Sequence, residues 1–336
     1  MTDIWKLAYK LDLSNTTILL TGGTGSFGTA FVQRVREEWP SATIRIYSRD
    51  ELKQYEMRTR FGEEGLRYLL GDVRDRNRLY RAAQGADIIV HAAALKQVPA
   101  CEYNPFEAIQ TNVVGAQNVV DAAIDAGVGQ VVGISTDKAV NPVNIYGATK
   151  LCAEKVMIQG NAYAARSSSR ISCVRYGNVL ASRGSVVHVF TSQRETGNIT
   201  LTDRRMTRFF ITLDQALDLV FFALDQQIGG EVFVPRIPSM KVVDLAEVLA
   251  PGVPITEIGI RPGEKLHELL VTSDEARHAV AAGLVFVIMP EHPWWESGGK
   301  WESEGILPDG YAFSSDTNER WISREDLEEM LEPHHT

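Results

Sequence analysis

The residues of this sequence that are best suited to chemistry lie between positions 135 and 150. Tyr146 and Lys150 are four residues apart, which places both side chains on one face of a helix. A lysine ammonium there can lower the pKa of the phenol, so that the tyrosinate accepts a proton while hydride leaves the neighbouring carbon. A Tyr/Lys pair with this spacing is most often a surface pair. Here it follows a glycine-rich loop and Thr136, in the run STDK at positions 135–138, and this order predicts redox chemistry.

The glycine-rich loop lies much earlier in the chain, at positions 21–28 (TGGTGSFG). Gly22 permits a tight turn, Gly25 lets the backbone approach a pyrophosphate, and Gly28 allows the next helix to pack closely. The N-terminus of that helix offers free N–H groups and a positive dipole end to the phosphates. Three glycines alone indicate only a turn, but at the first strand–helix junction of an α/β chain they predict a dinucleotide site. The other side chains expected in this site are those of Thr24, Ser26 and Phe27.

The end of the second predicted strand bears on the choice of dinucleotide. An acid at this point binds the ribose 2′-hydroxyl of NAD, whereas an arginine accommodates the 2′-phosphate of NADP. Because Ser48 and Arg49 come before Asp50, we expect NADP rather than NAD. A helix-capping Asp50 beside a solvated Arg49 is the alternative. Later strand ends are expected to contribute residues near the adenine (Asp72 and Val73) and small residues along the cofactor (Ala92, Ala93 and Ala94).

Short β-branched runs alternate with longer amphipathic patterns over the first 180 residues. We predict strands at Thr17–Leu20, Thr43–Tyr47, Tyr68–Leu70, Ile88–His91, Val131–Ser135 and Ile171–Tyr176. Helical patterns lie between them, for example at Phe27–Trp39 and Phe106–Ala126. Such alternation, with nearly continuous apolar strands, is typical of a doubly wound parallel sheet. The predicted fold class is therefore α/β, a Rossmann sheet with a second, smaller mixed α/β substrate domain.

The composition of the chain changes after Tyr176. Residues 177–208 are rich in Gly, Ser, Thr and Arg, and a strand–helix pattern then resumes at Phe209–Leu224, followed by Glu231–Val234. We therefore assign residues 12–180, together with 209–234, to the dinucleotide-binding domain. Residues 181–208 and 235–336 are assigned to the smaller domain, which we expect to bind the substrate.

Composition excludes several classes of function. The formal net charge of −9 over 336 residues argues against a nucleic-acid partner, which normally requires a basic face. The three cysteines lack CxxC spacing, and the seven histidines lack the spacing of metal ligands, so we predict neither a disulfide framework nor a metal site. The N-terminal segment has no apolar core of a signal peptide, and no apolar run approaches the roughly 18 residues of a membrane span. A cytoplasmic, soluble protein without a membrane partner is expected.

The sequence resembles the extended short-chain dehydrogenases/reductases, and within them the inverting UDP-N-acetylglucosamine 4,6-dehydratases of pseudaminic acid biosynthesis. The glycine loop and the YxxxK pattern are generic to that superfamily. The more specific stretches run through most of the chain: SRDELKQYEM at 48–57, GDVRD at 71–75, HAAALKQVP at 91–99, STDKAVNPVNIYGATK at 135–150, RYGNVLASRGSVV at 175–187, RMTRFFITL at 205–213, and RPGEKLHE at 261–268.

The resemblance implies an internal redox cycle on a UDP-sugar. Tyr146, helped by Lys150 and Thr136, would remove the proton of the C4 hydroxyl as NADP⁺ takes the C4 hydride. The 4-ketone acidifies the C5 hydrogen, so that a base can form the enolate and water can leave from C6. Hydride then returns to C6 and C5 is reprotonated.

The residues at positions 137 and 138 bear on the expected configuration at C5 of the product. Related retaining dehydratases have an Asp-Glu pair there, whereas this chain has Asp137 and Lys138, like the inverting enzymes. By resemblance, Asp137 would protonate the departing O6 and Lys138 would be the base at C5. A lysine is a base only if its pKa falls well below about 10, which burial near another cation would favour.

The substrate diphosphate requires donors from outside the glycine loop, and arginine suits phosphate because of its planar fork. Family members form dimers or larger oligomers, so a homo-oligomer is also expected. The side chains expected to bind the UDP-sugar are those of Lys96, Asn178, Arg205, Arg208, Arg261 and Glu264.

Other functions fit parts of the pattern. A UDP-hexosamine 4-epimerase, or a dehydratase with epimerase activity of the fucosamine type, would use the same Tyr146 and Lys150. A simple epimerase needs neither an acid at O6 nor a base at C5, so Asp137 and Lys138 argue against it. A non-catalytic dinucleotide-binding regulator would typically lack the Tyr/Lys pair.

Overall fold

A nine-stranded sheet forms the centre of the structure, a computed structural model that describes residues 6–164, 169–180, 185–292, 295 and 299–331. The strand order is β14-β15-β10-β6-β5-β4-β1-β2-β3. The strands in chain order are β1 (Thr17–Thr21), β2 (Thr43–Ser48), β3 (Leu66–Leu70), β4 (Ile88–His91), β5 (Gln130–Thr136), β6 (Arg170–Tyr176), β7 (Asn178–Val179), β8 (Ile199–Leu201), β9 (Thr207–Ile211), β10 (Val232–Pro235), β11 (Ser239–Lys241), β12 (Ile255–Glu257), β13 (Leu269–Val271), β14 (Ala279–Ala282), β15 (Val285–Ile288) and β16 (Phe313–Ser314).

Helices cover both faces of this sheet, which explains why its parallel strands are largely apolar, and further helices belong to a smaller region beside it. In chain order, the helices are α1 (Ser26–Glu38), α2 (Glu51–Phe61), α3 (Arg76–Ala83), α4 (Val98–Tyr103), α5 (Pro105–Ala108), α6 (Gly115–Ala126), α7 (Ile145–Tyr163), α8 (Val186–Thr196), α9 (Leu213–Gln226), α10 (Val242–Leu249), α11 (Ser273–Ala276) and α12 (Arg324–Leu331). Among the described helices, none has the length and apolar character needed to span a membrane.

The predicted α/β class is confirmed. Strands β1 to β6 and β10 run parallel, and β1 lies between β2 and β4, so the strand order reverses beside it. Ligands of such sheets bind at the carboxyl ends of the strands where this reversal occurs. The functional site is therefore expected at the ends of β1 and β4.

The helix predicted at Phe106–Ala126 is not continuous. Residues Ile109–Val114 form a π-helical turn between α5 and α6. The buried Asn112 lies in this turn; its Oδ1 accepts from Leu95 N at 2.8 Å, and its Nδ2 donates to Leu95 O and to Thr149 Oγ1, both at 3.0 Å. The widened turn thus joins the segment after β4 to helix α7.

A second apolar core lies outside the large sheet. It is built mainly from α8, α10 and α12 with β8, β9 and β11. The strand pairing differs from the predicted division at β14 and β15, which were assigned to the smaller domain and which extend the large sheet as antiparallel strands. Strand β9 pairs with β7 and β11, although its Phe209 and Ile211 pack into the core of the large sheet. Strand pairing is a long-range property that local pattern does not reveal.

Candidate active site

A cleft of about 720 Å³ opens at the carboxyl ends of β1, β2, β4, β5 and β6. It brings together the glycine loop, the end of β2, the segment after β4 and the start of α7. Every residue predicted for the cofactor lines it: Gly22, Thr24, Gly25, Ser26, Phe27, Gly28, Ser48, Arg49, Asp72, Val73, Ala92, Ala93, Ala94, Tyr146 and Lys150.

The glycine loop has the geometry of a phosphate-binding turn. Gly22 has a φ of +68°, and a Cβ on it would lie 2.7 Å from Ala93 N, so the turn packs directly against the segment after β4. A Cβ on Gly25 would meet only the carbonyl oxygen of Gly22, at 3.3 Å, and would otherwise fill the cleft. The backbone is thus open to a ligand where a pyrophosphate would lie at the N-terminus of α1. A nicotinamide dinucleotide fits this cleft.

The end of β2 presents a cation to the cleft. Arg49 is about half exposed (54%), and its Nη1 lies 3.7 Å from Asp72 Oδ2. The carboxylate of Asp50 caps helix α2 by accepting from Lys53 N at 3.0 Å, and it also pairs with the Lys53 ammonium at 2.7 Å. Asp50 therefore caps helix α2, as the alternative interpretation of the sequence predicted, and the neighbouring Arg49 faces the cleft.

Thr136 and Lys138 both line the cleft, whereas Asp137 is fully buried behind them. Asp137 Oδ1 accepts from Thr136 Oγ1 at 2.9 Å and from Lys138 Nζ at 3.0 Å. Lys138 Nζ also donates to Asn178 Oδ1 at 3.2 Å, and its side chain is about a quarter exposed (27%). Asp137 thus contacts the cleft through its hydrogen-bonded neighbours.

Tyr146 lies in the first turn of α7, where Asn144 Oδ1 caps the helix by accepting from Gly147 N at 2.7 Å. Burial raises the pKa of Tyr146 to about 12, although the Lys138 ammonium and a hydrogen bond from Thr136 act to lower it. Lys150 Nζ donates to the Ile134 carbonyl at 2.6 Å, and burial lowers the pKa of Lys150. The cation that acts on the phenol in this structure is therefore Lys138.

The structure does not give Lys138 the lowered pKa that the sequence analysis requires of a base at this position. Burial and Arg208 do act in that direction, but the carboxylates of Asp137 and Glu268 outweigh them and raise the pKa. Lys138 is accordingly an ammonium at neutral pH. The sequence pattern contained the nearby arginine but gave no sign that a second carboxylate also approaches.

The residues predicted for the substrate divide into two groups. Lys96 and Asn178 line the cleft, and Arg205, Arg208, Arg261 and Glu264 are not among the residues that line it. Arg205 is exposed (72%) and pairs with Asp203 at 2.7 Å. The buried Arg208 donates to the carbonyls of Thr207, Leu266 and Lys265. The short polar motifs of the sequence located these arginines, but they did not show which arginine side chains are already bound by other parts of the protein.

Sequence reasoning missed other residues of the cleft. Tyr176 ends β6, Gly177 connects it to Asn178, and Thr111 comes from the π-helical turn. Glu268 lies just outside the cleft, with Oε1 3.7 Å from Lys138 Nζ. The motif RPGEKLHE contained Glu268, but nothing in its spacing connected it with position 138. Across the described parts of the chain, no cluster of three or more His, Cys, Asp or Glu side chains could hold a metal ion.

A glycine loop after β1, a Tyr/Lys pair at the start of α7 and a smaller domain beside a parallel sheet define an extended short-chain dehydrogenase/reductase. The similarities agree with this class. The chain belongs to the family described as polysaccharide biosynthesis protein, whose model matches residues 18–290.

Named relatives include two kinds of sugar-nucleotide enzyme. A UDP-N-acetylglucosamine 4,6-dehydratase (inverting) from Campylobacter jejuni is 44% identical over 322 residues, which cover 94% of this chain and 96% of the relative. A UDP-glucose 4-epimerase from Rickettsia akari is 42% identical over 271 residues, covering 78% of this chain and 80% of the relative. The X-ray structure of Pen from Bacillus thuringiensis has a TM-score of 0.87 at 37% identity and covers 96% of this chain and 99% of that one.

Proposed function

We propose that this protein dehydrates UDP-N-acetylglucosamine to a UDP-4-keto-6-deoxy sugar with inversion at C5, using NADP. The observation that carries the proposal is the placement of Lys138 in the wall of the cleft, bonded to Asp137 and close enough to Tyr146 to affect its pKa. An oxidation at C4 requires only Tyr146 with Lys150. A base at C5 and an acid for O6 are needed only if water is also eliminated.

The proposed roles follow from what each side chain can do where it lies. The bound dinucleotide would supply the reversible hydride acceptor of the cycle. Tyr146 takes the proton of the C4 hydroxyl, and the Lys138 ammonium stabilises the resulting tyrosinate. Lys150, held by the Ile134 carbonyl, lines the same cleft and would help to hold the cofactor there.

Lys138 removes the C5 proton after it has lost its own. Its ammonium already donates to Asp137, and proton transfer along this bond makes a neutral amine and a protonated carboxylic acid. The same transfer gives Asp137 the proton that the departing O6 requires, and the Thr136 hydroxyl, which is hydrogen-bonded to Asp137 and lines the cleft, would relay it to the substrate. A single hydrogen bond of 3.0 Å thus couples the base and the acid of the elimination.

Asn178 and Lys96 are the proposed contacts with the sugar and diphosphate, because both line the cleft. Arg261 and Glu264 flank Gly263, whose carbonyl accepts from Asn144 Nδ2 at 2.7 Å next to the start of α7. We retain these two as proposed UDP ligands. Arg205 and Arg208 have the partners described above and are not retained.

The direct test is incubation with UDP-N-acetylglucosamine and NADP⁺ in D₂O, followed by mass spectrometry and proton NMR. The expected product has lost water, carries deuterium at C5 and has the L-arabino configuration. Loss of water with retained configuration would keep the reaction and refute the role of Lys138 in inversion. A product of unchanged mass would refute the dehydratase.

An epimerase is the second candidate, because relatives named UDP-glucose 4-epimerase are about as similar as the dehydratases. It would convert the substrate to its C4 epimer without loss of water and without deuterium at C5. The same incubation therefore separates the two functions.

NADP is preferred over NAD in this proposal because Arg49 faces the cleft, whereas the carboxylate of Asp50, which also lines the cleft, is engaged by Lys53 N and the Lys53 ammonium. A place in pseudaminic acid biosynthesis, a cytoplasmic location and a homo-oligomeric state remain predictions from the sequence. Identification of the next enzyme that accepts the product, cell fractionation and light scattering would test them in turn.

A further inference from the structure

Residues 263–268, named here the clamp segment, pack against the loop between β5 and α7. Three contacts join them. Gly263 O accepts from Asn144 Nδ2, Lys265 Nζ donates to Val140 O at 2.5 Å, and Glu268 Oε1 lies 3.7 Å from Lys138 Nζ. The clamp segment thus contacts the start, the middle and the end of this loop, although it lies more than 100 residues further along the chain. The contact with Lys138, near the start of the loop, is ionic.

Glu268 is a buried carboxylate (3% exposed) among three cations. Besides Lys138, its Oε1 lies 3.8 Å from Arg208 Nε, and its Oε2 lies 3.3 Å from Lys265 Nζ. Oε2 nevertheless has no hydrogen-bond partner. The carboxylate is thus held by ion pairs rather than by side-chain hydrogen bonds, and one of these pairs reaches across to Lys138.

The backbone of Glu268 is rigidly held. Its N–H donates to Ser315 Oγ at 2.9 Å, and its carbonyl accepts from Ser315 N at 2.8 Å. Ser315 Oγ in turn hydrogen-bonds Thr207 Oγ1 at 2.7 Å. The carboxylate is therefore presented to Lys138 from a fixed point, whereas the long lysine side chain has several rotatable bonds.

We propose that Glu268 is a positioning residue that directs the Lys138 side chain into the cleft and sets its ionisation. The inference rests on the proposed function, in which Lys138 is the base at C5. Two carboxylates contact the Lys138 ammonium. Asp137 belongs to the same turn as Lys138, and Glu268 belongs to the clamp segment. With Glu268 neutral, Lys138 keeps only the contacts with Asp137 and Asn178.

The charges that face Lys138 fix the sign of the expected effect. They are the carboxylates of Asp137 and Glu268, the guanidinium of Arg208, and the phenol of Tyr146. Removing the charge of Glu268 leaves Arg208 less compensated, so the ammonium form of Lys138 loses stability and its pKa falls. Glu268→Gln keeps the side-chain shape and should therefore give a weaker and less well directed base.

The first experiment measures kcat and KM for water loss across about pH 6 to 11 in wild type, Glu268→Gln and Glu268→Asp. In the proposed mechanism the active form is the Lys138 ammonium paired with ionised Asp137, so loss of their shared proton produces the alkaline limb of kcat. For Glu268→Gln we expect this alkaline limb to move at least about one pH unit lower and the plateau of kcat to fall about tenfold, because a unit charge is removed at this distance. KM for the UDP-sugar should stay within about twofold. Glu268→Asp should restore the alkaline limb, since it keeps the charge.

A second experiment needs no catalysis. Trace acetylation of Lys138, measured by peptide mass spectrometry against pH, reports the pKa of its amine directly. The labelling curve should move to lower pH in Glu268→Gln and should be unchanged in Glu257→Gln, which alters an exposed carboxylate on β12. Coincident curves for Glu268→Gln and wild type would refute the proposal. If wild type loses no water from UDP-N-acetylglucosamine, the proposed function fails, but the labelling curves still decide the role of Glu268.

Lys265→Met provides a variant of opposite sign if Glu268→Gln does not fold. The ammonium of Lys265 lies 3.3 Å from Glu268 Oε2 and shares the charge of that carboxylate with Lys138 and Arg208. Without Lys265, the carboxylate interacts with Lys138 and Arg208 alone. The labelling curve of Lys138 should then move to higher pH. A shift to lower pH, or none, would contradict the proposal.

Discussion

Replacing Arg175 with methionine should lower the free energy of unfolding by about 3 to 5 kcal/mol, the usual cost of removing one partner from a buried ion pair. Arg175 is almost wholly buried (1% exposed) on β6. Its guanidinium donates to both carboxylate oxygens of Glu154 on α7, to both of Glu275 on α11, and to Leu270 O on β13. Methionine fills part of the space but leaves two acids without their cation.

A second estimate of the magnitude comes from Glu275. Burial alone would raise the pKa of Glu275, but the charge and hydrogen bonds of Arg175 outweigh it and lower the pKa from 4.5 to about 2. A shift of that size corresponds to about 3 kcal/mol at neutral pH. Because the folded pKa is depressed, this contribution is complete above about pH 4.5 and is lost as the pH falls toward about 2.

The assay is thermal unfolding followed by circular dichroism or calorimetry. With about 2.1 cal/mol/K of unfolding entropy per residue over 336 residues, a loss of 3 to 5 kcal/mol lowers the Tm by roughly 4 to 7 °C. Arg170→Met is the matched control, since Arg170 is an exposed arginine at the start of the same strand, and its Tm should change by about 1 °C or less. The difference between Arg175→Met and wild type should shrink as the pH falls below 4. A Tm for Arg175→Met within about 1 °C of wild type would refute this reasoning.

Other predictions concern the cleft. Tyr146→Phe should reduce kcat at least about a hundredfold, with no transient reduced nicotinamide on addition of UDP-sugar, because no group remains to take the C4 proton; a normal absorbance burst would contradict this role. Lys138→Glu should slow the transient at 340 nm, because the cation that acts on the Tyr146 phenol is lost, and should also impair elimination or change the C5 configuration, as judged by NMR of the product; full activity with unchanged configuration would exclude Lys138 as the base. Arg49→Gln should weaken NADP binding about tenfold while leaving NAD binding nearly unchanged, because a charged hydrogen bond at a half-exposed site is lost. Calorimetry with both dinucleotides checks this, and tighter binding of NAD than NADP by wild type would overturn the preference.

Elements with a strong local signal could be predicted from the sequence. Strands β1, β2, β4, β5 and β6 occur within one residue of their predicted bounds, because both faces of a parallel sheet are covered and the apolar run marks the strand directly. The π-helical turn at Ile109–Val114 could not be predicted. It depends on bonds from Asn112 to Leu95 and Thr149, and no periodicity records a partner so distant in the chain.

The residues of the site also divide into those that the local sequence predicted and those that depend on distant contacts. The glycine loop, Tyr146 and Lys150 were identified because they lie at strand ends and at a helix start, where topology brings them to one cleft. Glu268 and Arg208 come from segments whose place beside Lys138 depends on the packing of the smaller domain. Arginine patterns gave no means to distinguish Arg208, bonded to three carbonyls, from an arginine available to phosphate.

The ionisation of Tyr146 leads to a prediction about the order of binding. With a pKa of about 12, roughly one phenol in 10⁵ is ionised at pH 7, so the protein alone provides too little tyrosinate for efficient proton transfer. The ammonium of Lys138 already acts on the phenol and does not offset burial, so a further positive charge has to come close. The ring of oxidised nicotinamide would carry such a charge into the cleft that Tyr146 lines. We therefore expect NADP⁺ to bind before the sugar and to lower the pKa of the phenol. Ultraviolet difference titration near 295 nm, corrected with Tyr146→Phe, measures this. Identical titration curves with and without NADP⁺ would mean that the tyrosinate is stabilised by the substrate instead.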